Sequence, residues 1–234
     1  FKESSEIMQI IILNGGKGTR VKSVSKNKPK CMINFNKKPF ISHQINLLKK
    51  KGFKKIIFCL GYKAKTIIKY LNSLNISGVK IEYSIETKPL GTGGALINSF
   101  NKLDNTFFLT YGDSYLKIDY KKILDKFKYY KKNCLMTVVY KNKVAEHKPN
   151  VNINKNSIKS YGYSNKSNYI DFGALLFKKK VFRNYRIKKL DLSHVINDQV
   201  KKNHVIGYKI NKKFLQIGNI KGINEFKKSI KNLR

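Results

Sequence analysis

The sequence predicts an α/β protein built on a Rossmann-like, mostly parallel sheet flanked by helices. Two observations carry this prediction. Short, almost uninterrupted apolar runs recur along the first half of the chain, and segments of about ten residues with helical spacing of their apolar residues separate them. Strands that are apolar on both faces and alternate with helices are typical of parallel sheets covered on both sides. We therefore expect ligands to bind at the carboxyl ends of these strands.

The elements are predicted in a definite order. Apolar runs predict strands over 8–13, 54–60, 79–85, 106–111 and 135–140. Helical periodicity predicts helices over 41–51, 64–74, 94–100 and 120–131. Short alternating runs parted by Asn-Lys-Asn then predict a hairpin over 150–161. The remaining predicted elements are strand 170–177, helix 190–201, strands 205–210 and 214–217, and a closing helix over 224–232.

The charge of the chain is extreme but evenly spread. The 234 residues include 50 Lys and Arg against 13 Asp and Glu, a formal net charge of +37. Only four of the basic residues are Arg, and lysines occur in every segment, which favours a compositional drift over a selected nucleic-acid surface. We therefore expect no nucleic-acid partner, and a nucleic-acid-binding module stays an alternative that charge alone favours. The field should still attract anionic substrates.

Compartment signals point to a cytoplasmic protein. No apolar run reaches 18 residues, so no membrane contact is expected, and residues 1–7 look like an upstream extension ahead of Met8. Cys31, Cys59 and Cys134 are scattered without metal-ligand spacing, which predicts reduced thiols. The four histidines are isolated in the sequence and are interpreted as surface or packing residues.

A glycine-rich loop follows the first strand. It reads Gly15-Gly16-Lys17-Gly18-Thr19-Arg20, and Lys30 adds a later cation. Consecutive backbone N–H groups beside a fixed positive charge are suited to binding a polyphosphate. The spacing fits neither a Walker A loop nor a dinucleotide-binding loop, and the segment 21–30 lacks a helical apolar period. The alternative is an ordinary tight turn.

Two further segments carry candidate functional residues near strand ends. The second glycine cluster, Pro89 to Gly94, precedes a helix whose start should present free N–H groups to a base, although an ordinary helix start is the competing interpretation. Asp113 follows the strand over 106–111 and is the leading Mg²⁺ ligand, with a turn or N-cap aspartate as the alternative. Asp171 lies within an apolar strand, where it would meet ligand hydroxyl groups or pair with a lysine.

These segments together resemble the sugar-1-phosphate nucleotidylyltransferases, in particular small members akin to mannose-1-phosphate and heptose-1-phosphate guanylyltransferases. The resemblance runs from residue 8 to about 230. The matching stretches are Gly15–Arg20, Lys28–Met32, Pro89–Leu96, Tyr111–Ser114 and Ile170–Gly173. It implies that a nucleoside triphosphate and a sugar 1-phosphate, a hexose or heptose derivative, condense to an NDP-sugar and pyrophosphate for surface glycan synthesis, with Mg²⁺ as cofactor.

The resemblance also implies a role for each matching residue. Arg20, Lys30 and Asp113 would be catalytic, with Asp113 and Gln216 facing the metal. The residues implied to bind the nucleotide are Leu13, Asn14, Gly15, Gly16, Gly18, Thr19, Glu86, Pro89, Gly91, Thr92 and Gly93. The residues implied to face the sugar are Gly112, Asn150, Asp171 and Gly173.

The chain departs from the family at two points. Relatives often carry an acid where Gln216 stands, and the family's sugar-side acid–lysine pair has no clean counterpart near Gly162-Tyr163. GTP is the expected nucleotide by resemblance, while UTP, CTP, a non-sugar phosphate acceptor and a non-catalytic nucleotide-binding domain stay open. We expect one domain over 8–234, with a nucleotide-binding half (8–115) and a sugar-phosphate-binding half (116–234), acting as a monomer or homodimer.

Overall fold

The computed structural model describes residues 8–16, 18–140, 147–212 and 215–231, so the upstream segment 1–7 lies outside the described part. The strands are β1 Met8–Asn14, β2 Asn34–Phe35, β3 Lys38–Pro39, β4 Phe53–Leu60, β5 Lys80–Ile85, β6 Thr106–Tyr111, β7 Cys134–Tyr140, β8 Val151–Asn154, β9 Ser157–Tyr161, β10 Tyr169–Lys178 and β11 Val205–Lys209. The helices are α1 Lys22–Ser25, α2 Phe40–Lys50, α3 Ala64–Asn72, α4 Gly91–Asn98, α5 Tyr120–Tyr130, α6 Leu192–Lys201 and α7 Ile220–Lys231.

Nine strands form one mixed sheet in the order β5-β4-β1-β6-β10-β7-β11-β9-β8. The first four strands in this order, which are β5, β4, β1 and β6, pair in parallel, as the alternation of strands and helices predicts. The prediction of a mostly parallel sheet is wrong beyond β6, because β10 runs antiparallel to both β6 and β7. Among the nine pairings between these described strands, only four are parallel. The periodicity of an apolar run indicates burial and carries no information on strand direction.

Helices cover both faces of the sheet because the central strands are apolar on both sides. Ile10 and Ile12 of β1 point into a core that α2, α3 and α5 complete, and Ile11 and Leu13 point into the opposite core with α4 and α6. This alternation is the period of two expected for a strand. The carboxyl ends of β1 and β6 consequently emerge side by side between the two helical layers, with Leu13 opposite Tyr111.

A third, smaller core lies beneath the loops that follow these strands. Phe226 of α7 contacts Phe35, Phe40 and Tyr115, with ring centroids 4.8, 4.9 and 5.0 Å away. Val21, which directly follows the first glycine loop, is fully buried in the same cluster. This packing anchors the end of the loop.

Four local predictions differ from the structure, one of which is the closing helix, since α7 begins at Ile220 and not at residue 224. The segment 21–30 contains one helical turn, α1, although it lacks a helical apolar period. In the predicted strand 214–217, residue 214 lies outside the described part, and Gln216 forms only an isolated bridge with Ser114. Helix α4 begins at Gly91 and not at Gly94, so the second glycine cluster forms its first turn. None of the helices in the described ranges is long and apolar enough to cross a bilayer.

Candidate active site

The first glycine loop leaves β1 with open space on one side. A Cβ atom built on Gly16 would meet no other atom within 4 Å, whereas one on Gly15 would lie 2.6 Å from Glu86 Oε1. Gly18 adopts a φ of +66°, in the left-handed region that favours glycine, and a Cβ there would lie 3.2 Å from Lys30 Cβ. The loop therefore passes between Glu86 and Lys30. Lys17 and the side chain of Thr19 lie outside the described part of the chain.

Lys30 and Asp113, two of the predicted catalytic residues, form an ion pair. Lys30 Nζ donates to Asp113 Oδ2 at 2.6 Å, and the two side chains are 19% and 17% exposed. The third predicted catalytic residue, Arg20, is exposed in the short 3₁₀ turn after the loop. Because Lys30 already neutralises the carboxylate, a ligand that recruits the ammonium group or a metal that binds the carboxylate would have to open this pair.

The ends of β1 and β6 interlock around Gly112. The Gly112 N–H donates to the Leu13 carbonyl at 2.9 Å. A side chain on Gly112 would collide with the amide of Asn14, so the absence of a Cβ at this position lets Asn14 lie across the start of the Asp113 turn. Leu13, Asn14, Gly112 and Asp113, predicted from separate motifs, are thus brought together with the glycine loop.

Gln216 lies next to Asp113. Gln216 Oε1 and Asp113 Oδ2 lie 3.1 and 3.2 Å from the point where a Cβ on Gly218 would be. The other end of the Gln216 amide, Nε2, lies 2.8 Å from His147 Nε2. Sequence reasoning missed His147, since a partner 69 residues away leaves no local signal.

The donor set beside Gly218 is compatible with Mg²⁺. A carboxylate oxygen and an amide oxygen converge on one small space, and hard oxygen ligands of this kind suit Mg²⁺ when phosphates and water complete the coordination. In the part of the chain that the structure describes, no three His, Cys, Asp or Glu side chains form a metal-binding group. The described side chains alone therefore do not complete a metal site.

A thiol nucleophile is excluded next to Lys30. Cys31 is buried, and burial raises the pKa of its thiol to about 12. The same cause raises the pKa of Cys59 to about 12. Both thiols stay protonated and unreactive at neutral pH.

Asp171 is held in a β-bulge by hydrogen bonds. The pairing of β10 with β7 shifts between Asp171 and Leu175, and Gly173 adopts a φ of +86°. The Asp171 carboxylate accepts from the Gly173 N–H at 2.8 Å and from the Tyr161 hydroxyl at 3.2 Å. Asn150 Oδ1 accepts from the Asp171 N–H at 3.0 Å. Three of the predicted sugar-facing residues, Asn150, Asp171 and Gly173, are therefore in direct contact.

Burial raises the pKa of the Asp171 carboxyl to about 6. Hydrogen bonds from Gly173 and Tyr161 oppose this shift. The pairing with a lysine that the sequence left open is absent from the ion pairs of the described residues, and a tyrosine takes the place of the cation. Tyr161 is a functional candidate that the sequence did not reveal, because only the hairpin brings it to β10.

The second glycine cluster serves a different purpose from the first. The N–H groups of Gly93 and Gly94 both donate to the Leu190 carbonyl at 3.0 Å, so the prediction of free N–H groups at this helix start is wrong for these two residues. A Cβ on Gly91 would lie 2.6 Å from Leu190 O, and one on Gly94 would collide with Lys188 O. The glycines allow the segment 188–192 to approach the helix closely.

Two other residues of this cluster, Leu90 and Thr92, also form hydrogen bonds within the protein. The Thr92 hydroxyl accepts from the Leu192 N–H at 2.9 Å and donates to Asp191 Oδ1 at 3.3 Å. Glu86 Oε2 accepts from the Leu90 N–H at 3.1 Å, while its other oxygen faces the first loop. Pro89 is exposed. Of the predicted nucleotide-binding residues after 80, Glu86 lies beside the first loop.

Comparison with known proteins identifies a family match over nearly the whole chain and curated relatives over about half of it. Residues 9–232 match the profile of a family described as Nucleotidyl transferase. A D-glycero-alpha-D-manno-heptose 1-phosphate guanylyltransferase of Campylobacter jejuni is 43% identical over 116 residues, which cover 50% of this chain and 52% of that protein. The enzyme of the same name from Aneurinibacillus thermoaerophilus is 37% identical over 51% of this chain and 52% of its own length. The chain thus spans about half the length of the curated relatives it matches.

A solved structure covers more of the chain. HddC from Yersinia pseudotuberculosis, crystallised in complex with GMP-PN, superimposes with a TM-score of 0.83 at 27% identity, over 96% of this chain and 100% of that one. The alignment therefore includes both the parallel half of the sheet and the mixed half that carries Asp171.

Proposed function

This chain belongs to the nucleotidyl transferase family, and we propose that it transfers a nucleotidyl group from GTP to a sugar 1-phosphate, releasing pyrophosphate. The observation that carries the proposal is the contact of Lys30 with Asp113 beside an open glycine loop. A heptose 1-phosphate is the preferred acceptor, because two relatives of 43% and 37% identity carry that name.

The reaction that we propose needs no protein nucleophile. An oxygen of the sugar 1-phosphate attacks the α-phosphorus of GTP. The bond between this phosphorus and the oxygen that bridges the α- and β-phosphates breaks. The bridging oxygen leaves with its electron pair as part of pyrophosphate. Catalysis of such a displacement is mainly positioning and charge stabilisation. The protonated Cys31 thiol next to the site is consistent with this chemistry.

Each cluster of the site then has a part in the reaction. The backbone around Gly15, Gly16 and Gly18 would hold the triphosphate, and Arg20 would stabilise the charge that develops on pyrophosphate. Lys30 would leave Asp113 for a phosphate oxygen. Glu86, beside the same loop, offers a carboxylate to donors of the base or ribose.

On the acceptor side, the pair of Asn150 and Asp171 would orient sugar hydroxyl groups. Mg²⁺, when bound by Asp113 and Gln216, would supply neutralisation of phosphate charge. We further propose that residues 8–115 and 116–234 act as the nucleotide and acceptor halves of one domain. This assignment is supported by the single sheet to which the strands of both halves belong.

The test is a pyrophosphate-release assay with Mg²⁺ and a matrix of four nucleoside triphosphates against heptose, mannose and glucose 1-phosphates. GTP with heptose 1-phosphate should give the highest kcat/KM. Turnover with UTP or CTP alone would overturn the choice of nucleotide. Triphosphate binding without turnover for any acceptor would favour a non-catalytic domain, a reading that Gln216 supports because its neutral amide replaces a carboxylate.

Two variants address the residues of the ion pair and the loop. Asp113→Ala should reduce pyrophosphate release by at least about 100-fold, since the charge arrangement around the phosphates is lost. Arg20→Ala should lower kcat more than it raises KM for GTP, because its charge matters most as pyrophosphate leaves. Retained turnover in Asp113→Ala would contradict the role of this carboxylate.

A further inference from the structure

Gln44 of α2 holds the turn that presents Asp113. Its side chain is 1% exposed, and Nε2 donates to the Tyr111 carbonyl at 2.9 Å and to the Ser114 carbonyl at 2.8 Å. These two carbonyls bracket Asp113. The Ser114 N–H also donates to Tyr111 O at 3.1 Å, so Tyr111 to Ser114 form a tight turn whose two ends are joined by one buried amide.

The orientation of the Gln44 amide is determined by its partners. Both neighbours are carbonyl oxygens, so only the NH₂ group can face them, and its two hydrogens are both used. The cost falls on the other end of the side chain, because Gln44 Oε1 is buried without a hydrogen-bond partner among the described residues. The two hydrogen bonds that the NH₂ group donates therefore offset the cost of the unpaired oxygen.

The clamp, by which we mean the two hydrogen bonds from Gln44 Nε2 to the Tyr111 and Ser114 carbonyls, affects both candidate metal ligands, Asp113 and Gln216. The Asp113 side chain projects from the backbone between the two carbonyls that Gln44 holds, so the path of this turn sets the direction of the Asp113 carboxylate. Ser114, one of the two clamped residues, forms the bridge with Gln216, and the Ile217 N–H donates to Asp113 O at 2.9 Å. One fixed turn therefore sets the positions of Asp113 and Gln216 together.

We propose that Gln44 is a positioning residue for nucleotidyl transfer, which orients Asp113 and the segment of Gln216 toward the phosphate-bound cation. The proposal rests on the proposed function for the reaction, but its geometry concerns only the turn and its oxygen ligands. It predicts that loss of the Gln44 donors changes cation affinity and kcat, and not only folding stability.

The chain offers a matched control at the amino end of β1, the opposite end of the strands from the Asp113 turn. Gln9 is also 1% exposed and also holds a loop, since Nε2 donates to Lys102 O and Oε1 accepts from the Asp104 N–H, both at 2.9 Å. A buried glutamine with a purely structural role should behave like Gln9. The comparison of Gln44→Met with Gln9→Met therefore separates positioning from stability, because Met keeps the shape and removes the amide.

The experiment measures melting temperature, GTP kinetics and Mn²⁺ affinity by electron paramagnetic resonance in the presence of a non-hydrolysable GTP analogue. Both variants should lose about 5 °C in melting temperature. Only Gln44→Met should lower kcat, by about tenfold or more, and weaken Mn²⁺ binding several-fold, with KM for GTP changed less than kcat. If Gln44→Met fails to fold, Gln44→Asn, which keeps the amide one methylene shorter, should show the same pattern to a smaller degree.

Equal melting losses with unchanged kcat and Mn²⁺ affinity in Gln44→Met, or in Gln44→Asn where that variant is used, would overturn the proposal. The same holds if Gln9→Met weakens Mn²⁺ binding as much. If the wild-type protein shows no turnover but loses Mn²⁺ affinity on substitution of Gln44, the proposed reaction fails while the positioning of the turn stands. If the wild-type protein turns over fully and the Gln44 variant turns over equally well, the proposed reaction stands while the positioning role of Gln44 fails.

Discussion

The two glycine clusters look alike in the sequence and do different things in the fold. Around Gly16 a side chain would find open space, and the first loop has room for a ligand. Around Gly94 a side chain would collide with the backbone of Lys188, and the N–H groups of Gly93 and Gly94 already donate to the Leu190 carbonyl. A glycine can be required either for the close approach of a ligand or for the close approach of another chain segment, and only packing distinguishes the two.

Two carboxylates of the proposed site, Asp113 and Asp171, show the same kind of contrast. Asp113 lies against the ammonium group of Lys30. Asp171 is surrounded by hydrogen bonds from neutral groups, and burial raises its pKa to about 6. The first environment suits exchange with phosphate and cation, and the second suits neutral hydroxyl groups.

The largest expected effect on stability comes from a substitution in the second glycine cluster. Gly94→Ala should lower the free energy of unfolding by about 2 kcal/mol or more. The new methyl group would be overpacked against the Lys188 carbonyl, and this cost outweighs the roughly 1 kcal/mol by which alanine is favoured over glycine in a helix. Urea denaturation of the purified variant measures this loss. An unchanged midpoint would show that the segment 188–192 is not closely held to α4.

The contrast between the carboxylates can be sharpened by pH. Because the folded pKa of Asp171 is raised from 3.8 to about 6, the folded protein keeps a proton that the unfolded chain releases between these values, and stability is lost as pH rises through 6. Asp171→Asn should remove this loss and raise the free energy of unfolding at pH 8 by on the order of 1–2 kcal/mol relative to wild type.

Denaturant titrations of both proteins at pH 4.5 and pH 8 give the comparison. Parallel pH dependences would mean that Asp171 titrates normally.

The next effect separates activity from stability in the first loop. Gly16→Ala should reduce kcat/KM for GTP by about tenfold, since a methyl group would occupy space proposed for phosphate, yet change the free energy of unfolding by no more than about 0.5 kcal/mol. Steady-state kinetics beside thermal denaturation tests both parts. Loss of stability without loss of activity would reverse the comparison between the clusters.

The smallest effect concerns the hydroxyl of Thr92. Thr92→Val should lower the free energy of unfolding by about 1 kcal/mol, because the Leu192 N–H loses its acceptor. KM for GTP should stay within about twofold if the hydroxyl serves only the segment 188–192. A tenfold rise in KM would instead support the nucleotide-binding role that the resemblance implies.

The predictable part of the fold is the part that depends on local pattern. The strands over β1, β4 and β6 and helices such as α2 and α5 begin and end within a residue or two of expectation, because burial on both faces of a strand or one face of a helix is written into residue spacing. The antiparallel direction of β10 and the bulge at Gly173 were not predictable, since they depend on pairing with strands far away in the chain.

The sequence by itself determined which residue types stand at the ends of the strands: the glycines of the first loop, Lys30, Asp113 and the carboxylate within β10. Only the tertiary structure decided their partners. Lys30 and Asp113 are 83 residues apart, and Thr92 and Leu192 are 100 apart. The physical reason is that local propensity acts over a few residues, whereas hydrogen bonds and ion pairs across such separations exist only once the sheet has brought the segments together.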